Sequence, residues 1–242
     1  MLEKELIKYS GMKKEEIRKA LEEKIPYLLK EGKVGLVVGL VKTFGAPGSD
    51  VLVGKTAEYM RKGLFQEART LLEVVRLPKE VVHEVYRSQL EVIIATGYWD
   101  GIRKTYELTG IKPKKEDIAG TCWVCLERDR IETLERLVEF AREIGSKVKL
   151  PEKVVRKKQR EYARKGEGEK VKRLWEVTGV KPKLSKEDVL QGVNACLEEG
   201  RKGFDEGRWF LNLCCLLEVK KVKLPREAYE LLSEVLKSPK HD

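Results

Sequence analysis

Cys122-Trp-Val-Cys125 has the spacing of a thiol redox motif or of half a zinc site. A redox pair needs a strand ahead of it and a thiolate favoured at a helix start, whereas a zinc site needs two further ligands at matching spacing. Neither accompanies the motif, so both residues read as small core cysteines. Gly48-Ser-Asp-Val-Leu-Val-Gly54-Lys55-Thr56 has the outline of a phosphate-binding loop. It carries five residues between its glycines where that loop has four, and they are apolar where a tight cradle of backbone amides is required. Only two histidines occur, His83 and His241, and no His-Glu-x-x-His, Ser-His-Asp or spaced carboxylate pair stands out from the scattered charges. The chain therefore reads as a non-enzymatic binding protein that needs no cofactor and no metal.

The feature that reads as binding chemistry is basic. The formal charge is +10, and between Lys153 and Arg173 ten basic residues face three acids. Lys153, Lys157, Arg160 and Arg164 recur at i, i+4, i+7 and i+11, within about 40° of Lys153 around a helix. Val155 and Tyr162 fall on the opposite side, which turns the ridge away from the core. The corresponding helix after Pro78 carries Glu84 and Glu91 on the comparable face, so the ridge belongs to one unit only. Its competing reading is a solvated charged face. As a nucleic-acid surface it would place Lys153, Lys157, Arg160, Arg164, Lys170 and Arg173 on phosphates, with Tyr98, Trp99 and Trp123 available for stacking. Four such contacts imply a log–log salt slope of about −3 to −4.

Charged residues make up 37% of the chain while Gln and Asn are scarce, a pattern associated with thermophiles. The longest uncharged apolar run, Val34 to Val41, is far short of the roughly 20 residues that span a membrane. No basic segment followed by an apolar core opens the sequence, so the expectation is a soluble cytoplasmic protein without a signal peptide. Five cysteines in a chain of this length do not make a disulfide framework, although one bridge is compatible with a thermophilic source.

The elements that must carry these residues repeat. Six of the eight prolines fall at a near-regular beat, alternating between Gly-x-x-Pro or a relative (Pro47, Pro113, Pro182) and Leu-Pro followed by charges (Pro78, Pro151, Pro225). Glu107-Leu-Thr-Gly-Ile-Lys-Pro113 matches Glu176-Val-Thr-Gly-Val-Lys-Pro182, 69 positions on, which is two units of about 35 residues. Within the units apolar residues keep helical spacing, as in Leu64, Ala68, Leu71, Leu72 and Val75, or Ile131, Leu134, Val138 and Ala141. Glycine turns separate the paired helices. Asp50, Asp117 and Asp188 stand where N-caps would, and aligning on them puts Gly54 with Gly192 and Cys125 with Cys196. The pattern predicts first helices beginning near residues 14, 51, 80, 118, 153, 189 and 226, after a short helix from Leu2 to Tyr9, with Pro26 kinking or shortening the first of them. The expected architecture is an all-α solenoid of six to seven helical hairpins in a right-handed superhelix, its first helices lining a concave surface. One array would occupy 1–242, in repeats 12–50, 51–79, 80–117, 118–152, 153–188 and 189–225 with a terminal cap helix at 226–242.

The turn Gly97-Tyr-Trp-Asp100, the helix behind it and the ending Gly110-Ile-Lys-Pro113 resemble the tetratricopeptide and pentatricopeptide repeat superfamily. The ending is nearer the pentatricopeptide form, whose members bind single-stranded RNA one base per repeat, and that resemblance makes single-stranded RNA the expected partner. The tetratricopeptide form implies instead a protein scaffold that holds a peptide or a partner helix. In that case Val34 to Val41 or the apolar stretch 209–217 could pair two copies of the chain.

Overall fold

The computed structural model describes residues 11, 13–45, 49–202, 207–221, 224, 226, 229–230 and 232–233. Among them the chain is all-helical, with twelve helices paired as hairpins and no strand. They are α1 (Lys14–Lys30), α2 (Val34–Phe44), α3 (Ser49–Arg61), α4 (Phe65–Leu72), α5 (Lys79–Thr96), α6 (Asp100–Thr109), α7 (Lys115–Glu127), α8 (Ile131–Glu143), α9 (Glu152–Arg164), α10 (Gly168–Thr178), α11 (Lys186–Arg201) and α12 (Arg208–Val219). The expected helix from Leu2 to Tyr9 lies outside the described residues, as does most of the terminal segment 226–242. The chain divides into two compact units, 1–121 and 122–242, and α7 contributes to both.

Each helix buries the stripe its spacing dictates. On α8, Ile131, Leu134, Val138 and Ala141 are buried; on α9, Val155, Gln159, Tyr162 and Ala163 are. Leu64 is the exception in its stripe: it lies in the turn ahead of α4 and is exposed. In the first unit the core gathers Ile25, Leu29, Val37, Leu52, Met60 and Leu71. Burying an aliphatic side chain of this size contributes about 1.5–3 kcal/mol. The stacking is that of helical repeats: α3 packs on α5 and α2 on α4 in the first unit, and α9 packs on α11 and α10 on α12 in the second. Buried Gln89 locks α5 between its neighbours, its amide donating to the Met60 carbonyl (3.2 Å) and to the Thr105 hydroxyl (2.9 Å).

The recurring Thr-Gly-Ile/Val-Lys-Pro segment is a helix ending. The Thr109 hydroxyl donates to the Thr105 carbonyl (2.7 Å) and accepts from the Ile111 amide (3.2 Å), and Thr178 does the same with Leu174 (2.6 Å) and Val180 (3.2 Å). The next residue, Gly110 or Gly179, takes the left-handed conformation that closes the helix, at φ 66° and 72°. Tyr86 then pins the first linker through a 2.7 Å bond to the Ile111 carbonyl, and Gln159 the second through a 2.8 Å bond to the Val180 carbonyl.

Several local expectations are corrected. The helices begin ahead of the aspartates, so Asp117 and Asp188 sit in the third helical position and Asp50 in the second. For α11 the N-cap is Ser185, whose hydroxyl accepts the Asp188 amide (3.0 Å) while the Asp188 carboxylate accepts the Ser185 amide (2.8 Å), a reciprocal capping box. Pro26 does not shorten α1, which runs through it to Lys30. The segment Gly54-Lys55-Thr56 is α3 interior: the Thr56 hydroxyl bonds the Leu52 carbonyl (2.7 Å) and Lys55 bonds Glu58 (2.8 Å).

Gly54 and Gly192 are equivalent in the repeat but have opposite surroundings. A Cβ on Gly192 would lie 1.9 Å from the Ala163 carbonyl oxygen, whereas one on Gly54 would meet nothing within 4 Å. Gly192→Ala should therefore destabilise the protein by at least about 1–3 kcal/mol through overpacking. Gly54→Ala should stabilise it by about 0.5–1 kcal/mol, because a helix interior favours alanine. Thermal unfolding of the two variants checks the pair, and shifts of the same sign would contradict the close approach of α9 and α11.

Candidate nucleic-acid interface

The basic residues between Lys153 and Arg173 divide by their partners. Arg156 pairs with Glu152 (2.7 Å), and Lys158 with Asp129 (2.8 Å) and Glu161 (3.3 Å). Lys170 pairs with Glu167 (2.7 Å) and lies 5.3 Å over the Tyr162 ring. Lys172 pairs with Glu218 at 2.8 Å. Arg173 makes a two-pronged bond to Glu135 on α8 (2.8 and 2.5 Å). Of the six residues expected on phosphates, Lys170 and Arg173 are thus committed to internal carboxylates, and α10 carries them away from the ridge. Those pairs remove much of the local excess of positive charge.

The other four stay together. Lys153, Lys157, Arg160 and Arg164 are all exposed along α9, because Val155, Gln159 and Tyr162 claim its buried side. Lys153 and Lys157 have no acid within ion-pair distance among the described residues. Arg160 donates through Nε to the Lys183 carbonyl (3.3 Å), and Arg164 through Nε to Asp188 Oδ1 (2.7 Å). Nothing among the described residues engages the terminal nitrogens of either guanidinium.

Arg160 and Arg164 enter a cleft of about 650 Å³ that the sequence reading did not foresee. Its walls are α9, the linker Pro182-Lys183-Leu184-Ser185, Asp188 on α11, and Val219 and Lys220 at the end of α12. Gln159 and Arg160 hold that linker against α9 at Val180 and Lys183. Lys220 donates to the Leu184 carbonyl and so fixes the opposite wall. Lys183 and Lys220 escaped notice because they lie 23 and 60 positions from Arg160 and outside the continuous basic run. The available signal was the register of the linkers, since those after α6, α8 and α10 each carry two lysines, at 112 and 114, 147 and 149, and 181 and 183.

Among the described residues Asp188 is the cleft's single carboxylate. Burial pushes its pKa up, but the Ser185 amide and then the Arg164 guanidinium outweigh burial and hold it below the ordinary value of 3.8. Its charge is thus engaged inside the protein.

The stacking candidates are dispersed. Tyr98 is exposed and lines a small hollow of about 160 Å³ in the first unit with Phe65 and Met60. Trp99 lies beneath the Arg103 guanidinium at 4.7 Å, and Trp123 is half-buried on α7. Cys122, Cys125 and Cys196 are buried, and burial pushes the thiols of Cys122 and Cys196 up to about 12, opposite to a reactive thiolate. All five cysteines are free. Among the described residues no three His, Cys, Asp or Glu side chains are placed to hold a metal ion, and no helix is long and apolar enough to cross a membrane. No family model matches this chain, and neither the curated proteins nor the solved structures compared with it include a match.

Asp188→Asn keeps an acceptor for the Ser185 amide but removes the ion pair with Arg164. Because the folded pKa is depressed, the carboxylate's stabilisation is fully present above 3.8 and is lost as pH falls through the lower folded value. Arg164 is largely exposed, so the difference should stay under about 1 kcal/mol. Urea unfolding midpoints of both proteins across that range should converge in acid; a gap that persists there would show that the charge contributes nothing.

Proposed function

We propose that this chain is a non-enzymatic binding module of the tetratricopeptide/pentatricopeptide kind, and that its second unit takes single-stranded RNA along α9. The observation that supports the reading is the row Lys153, Lys157, Arg160, Arg164, all exposed and with only Arg164 held by a carboxylate, whereas Arg156, Lys158, Lys170, Lys172 and Arg173 are each paired with one. One cation per helical turn gives a spacing of roughly 5–6 Å along the ridge, close to that of successive phosphates on a single strand. Single-stranded rather than duplex nucleic acid follows from the repeat resemblance and from the narrow, one-sided row. Lys170 and Arg173 are left out of this surface because Glu167 and Glu135 already hold them.

A second reading has its own observation. On α12, Phe210, Leu211 and Cys214 are exposed, although Trp209, Leu213 and Leu216 on the same helix are buried. Of the Val34 to Val41 stretch, by contrast, only Leu36 among the large apolar residues is substantially exposed. An apolar helix face of this kind fits a protein partner, including a second copy of the chain. It does not compete with α9 for residues.

Fluorescence anisotropy with single-stranded RNA, single-stranded DNA and duplex DNA over a salt series tests the first reading. Single-stranded RNA should bind with a log–log slope of about −3 for four phosphate contacts. Lys153→Glu with Lys157→Glu should weaken it at least about tenfold, whereas Lys170→Gln should not. Failure of every nucleic acid to bind at low salt would remove the proposal.

For the second reading, light scattering at increasing protein concentration should show self-association that Leu211→Glu abolishes. A monomer at all concentrations excludes pairing through that face.

A further inference from the structure

The ridge and the cleft differ in what they offer an anion. Lys153 and Lys157 present one ammonium per turn on an open helix face, which suits the single charge of a backbone diester. The cleft gathers Arg160, Arg164, Lys183 and Lys220 against one carboxylate, and that carboxylate is already bound by Arg164 Nε and the Ser185 amide. Both guanidiniums are tethered through Nε, one to the Lys183 carbonyl and one to Asp188. Tethering fixes each side chain and leaves its two terminal nitrogens as a pre-oriented pair of donors, the arrangement that suits a phosphate in two-pronged fashion. The Ser185 hydroxyl, which accepts the Asp188 amide, still has its own proton to donate.

We propose that this cleft receives the terminal phosphate of the RNA strand that lies on α9. The inference rests on the RNA reading and adds an end to it. A phosphate monoester carries about −1.5 to −2 charges at neutral pH and three strong acceptor oxygens, where an internal diester carries one charge. A pocket with four cations discriminates between them in favour of the monoester. Its volume of about 650 Å³ exceeds the need of one phosphate and falls within the roughly 300–1,000 Å³ of small-ligand sites, leaving room for the terminal nucleoside against Pro182, Leu184 and Val219. Because Arg160 and Arg164 close the row that Lys153 opens, a strand laid on the ridge reaches the cleft at one end.

The test uses the full chain and one short RNA in three forms: hydroxyl-ended, 5′-phosphorylated and 3′-phosphorylated, with a phosphoserine peptide as a fourth probe. At fixed salt one phosphorylated form should bind about tenfold tighter than the hydroxyl-ended form, the effect of one added charge-assisted hydrogen bond, and which form does so assigns the strand's direction. Arg160→Gln with Lys183→Gln should erase that advantage, whereas Lys153→Gln with Lys157→Gln should weaken all three RNAs alike. Lys183→Gln alone should reduce the advantage without touching the fold, since Arg160 bonds the backbone of that residue and not its side chain. Equal binding of the three RNAs overturns end recognition and leaves the ridge reading standing. Absence of binding by all three overturns both, and tighter binding of the phosphopeptide than of either phosphorylated RNA overturns RNA as the ligand of the cleft.

Discussion

The spacing of α9 and α11 is set by an absent side chain. Gly192 brings its backbone against the Ala163 carbonyl, so closely that a methyl group would overlap it. With the two helices at that distance, Arg164 on one reaches Asp188 on the other, and Asp188 is at the same time the carboxylate that caps α11 through Ser185. The cap fixes where α11 begins, and its beginning fixes the linker that forms the cleft wall. A second close approach, of Gly168 on α10 against the Asn212 carbonyl on α12, sets the other layer of the same unit. There the Asn212 side chain accepts the Glu169 amide at 3.0 Å, satisfying a backbone donor that the start of α10 would otherwise leave open.

The basic character of this region is smaller in effect than in count. Arg156, Lys158, Lys170, Lys172 and Arg173 each face a carboxylate within ion-pair distance. Without an ion pair among the described residues are Lys153, Lys157 and Arg160 on the outer face of α9 and Lys183 and Lys220 in the cleft wall, with Arg164 of the same row held by Asp188. Electrostatic attraction for a polyanion is concentrated where pairing is sparse, which is the outer face of α9 around Lys153, Lys157 and Arg160.

Much of the fold was legible because hydrophobic spacing and helix-ending chemistry are local. The stripes on α8 and α9 and the Thr-Gly-Ile/Val-Lys-Pro endings follow from neighbouring residues alone, and the structure gives them physical content as threonine-bridged, glycine-closed helix termini. The aspartates were misread by two to three positions, since a capping carboxylate at the third helical position and one at the cap itself look alike in a sequence. The ridge was legible for the same local reason. The cleft was not, because Lys183 and Lys220 reach Arg160 only through the packing of α9, α11 and α12. Nor could spacing reveal that Arg173 would turn to Glu135, 38 positions away.

Several ion pairs among the described residues run between hairpins. Lys42 meets Glu73, Arg61 meets Glu84, Lys158 meets Asp129, Arg173 meets Glu135 and Lys172 meets Glu218, and each bond joins one repeat to the next. Repeats that look interchangeable by their apolar stripes and prolines are therefore keyed to their neighbours by charge. A hairpin shuffled to another place in the array would keep its core and lose its counterions. Modularity here ends at the surface, and the order of the units is written in the charged residues.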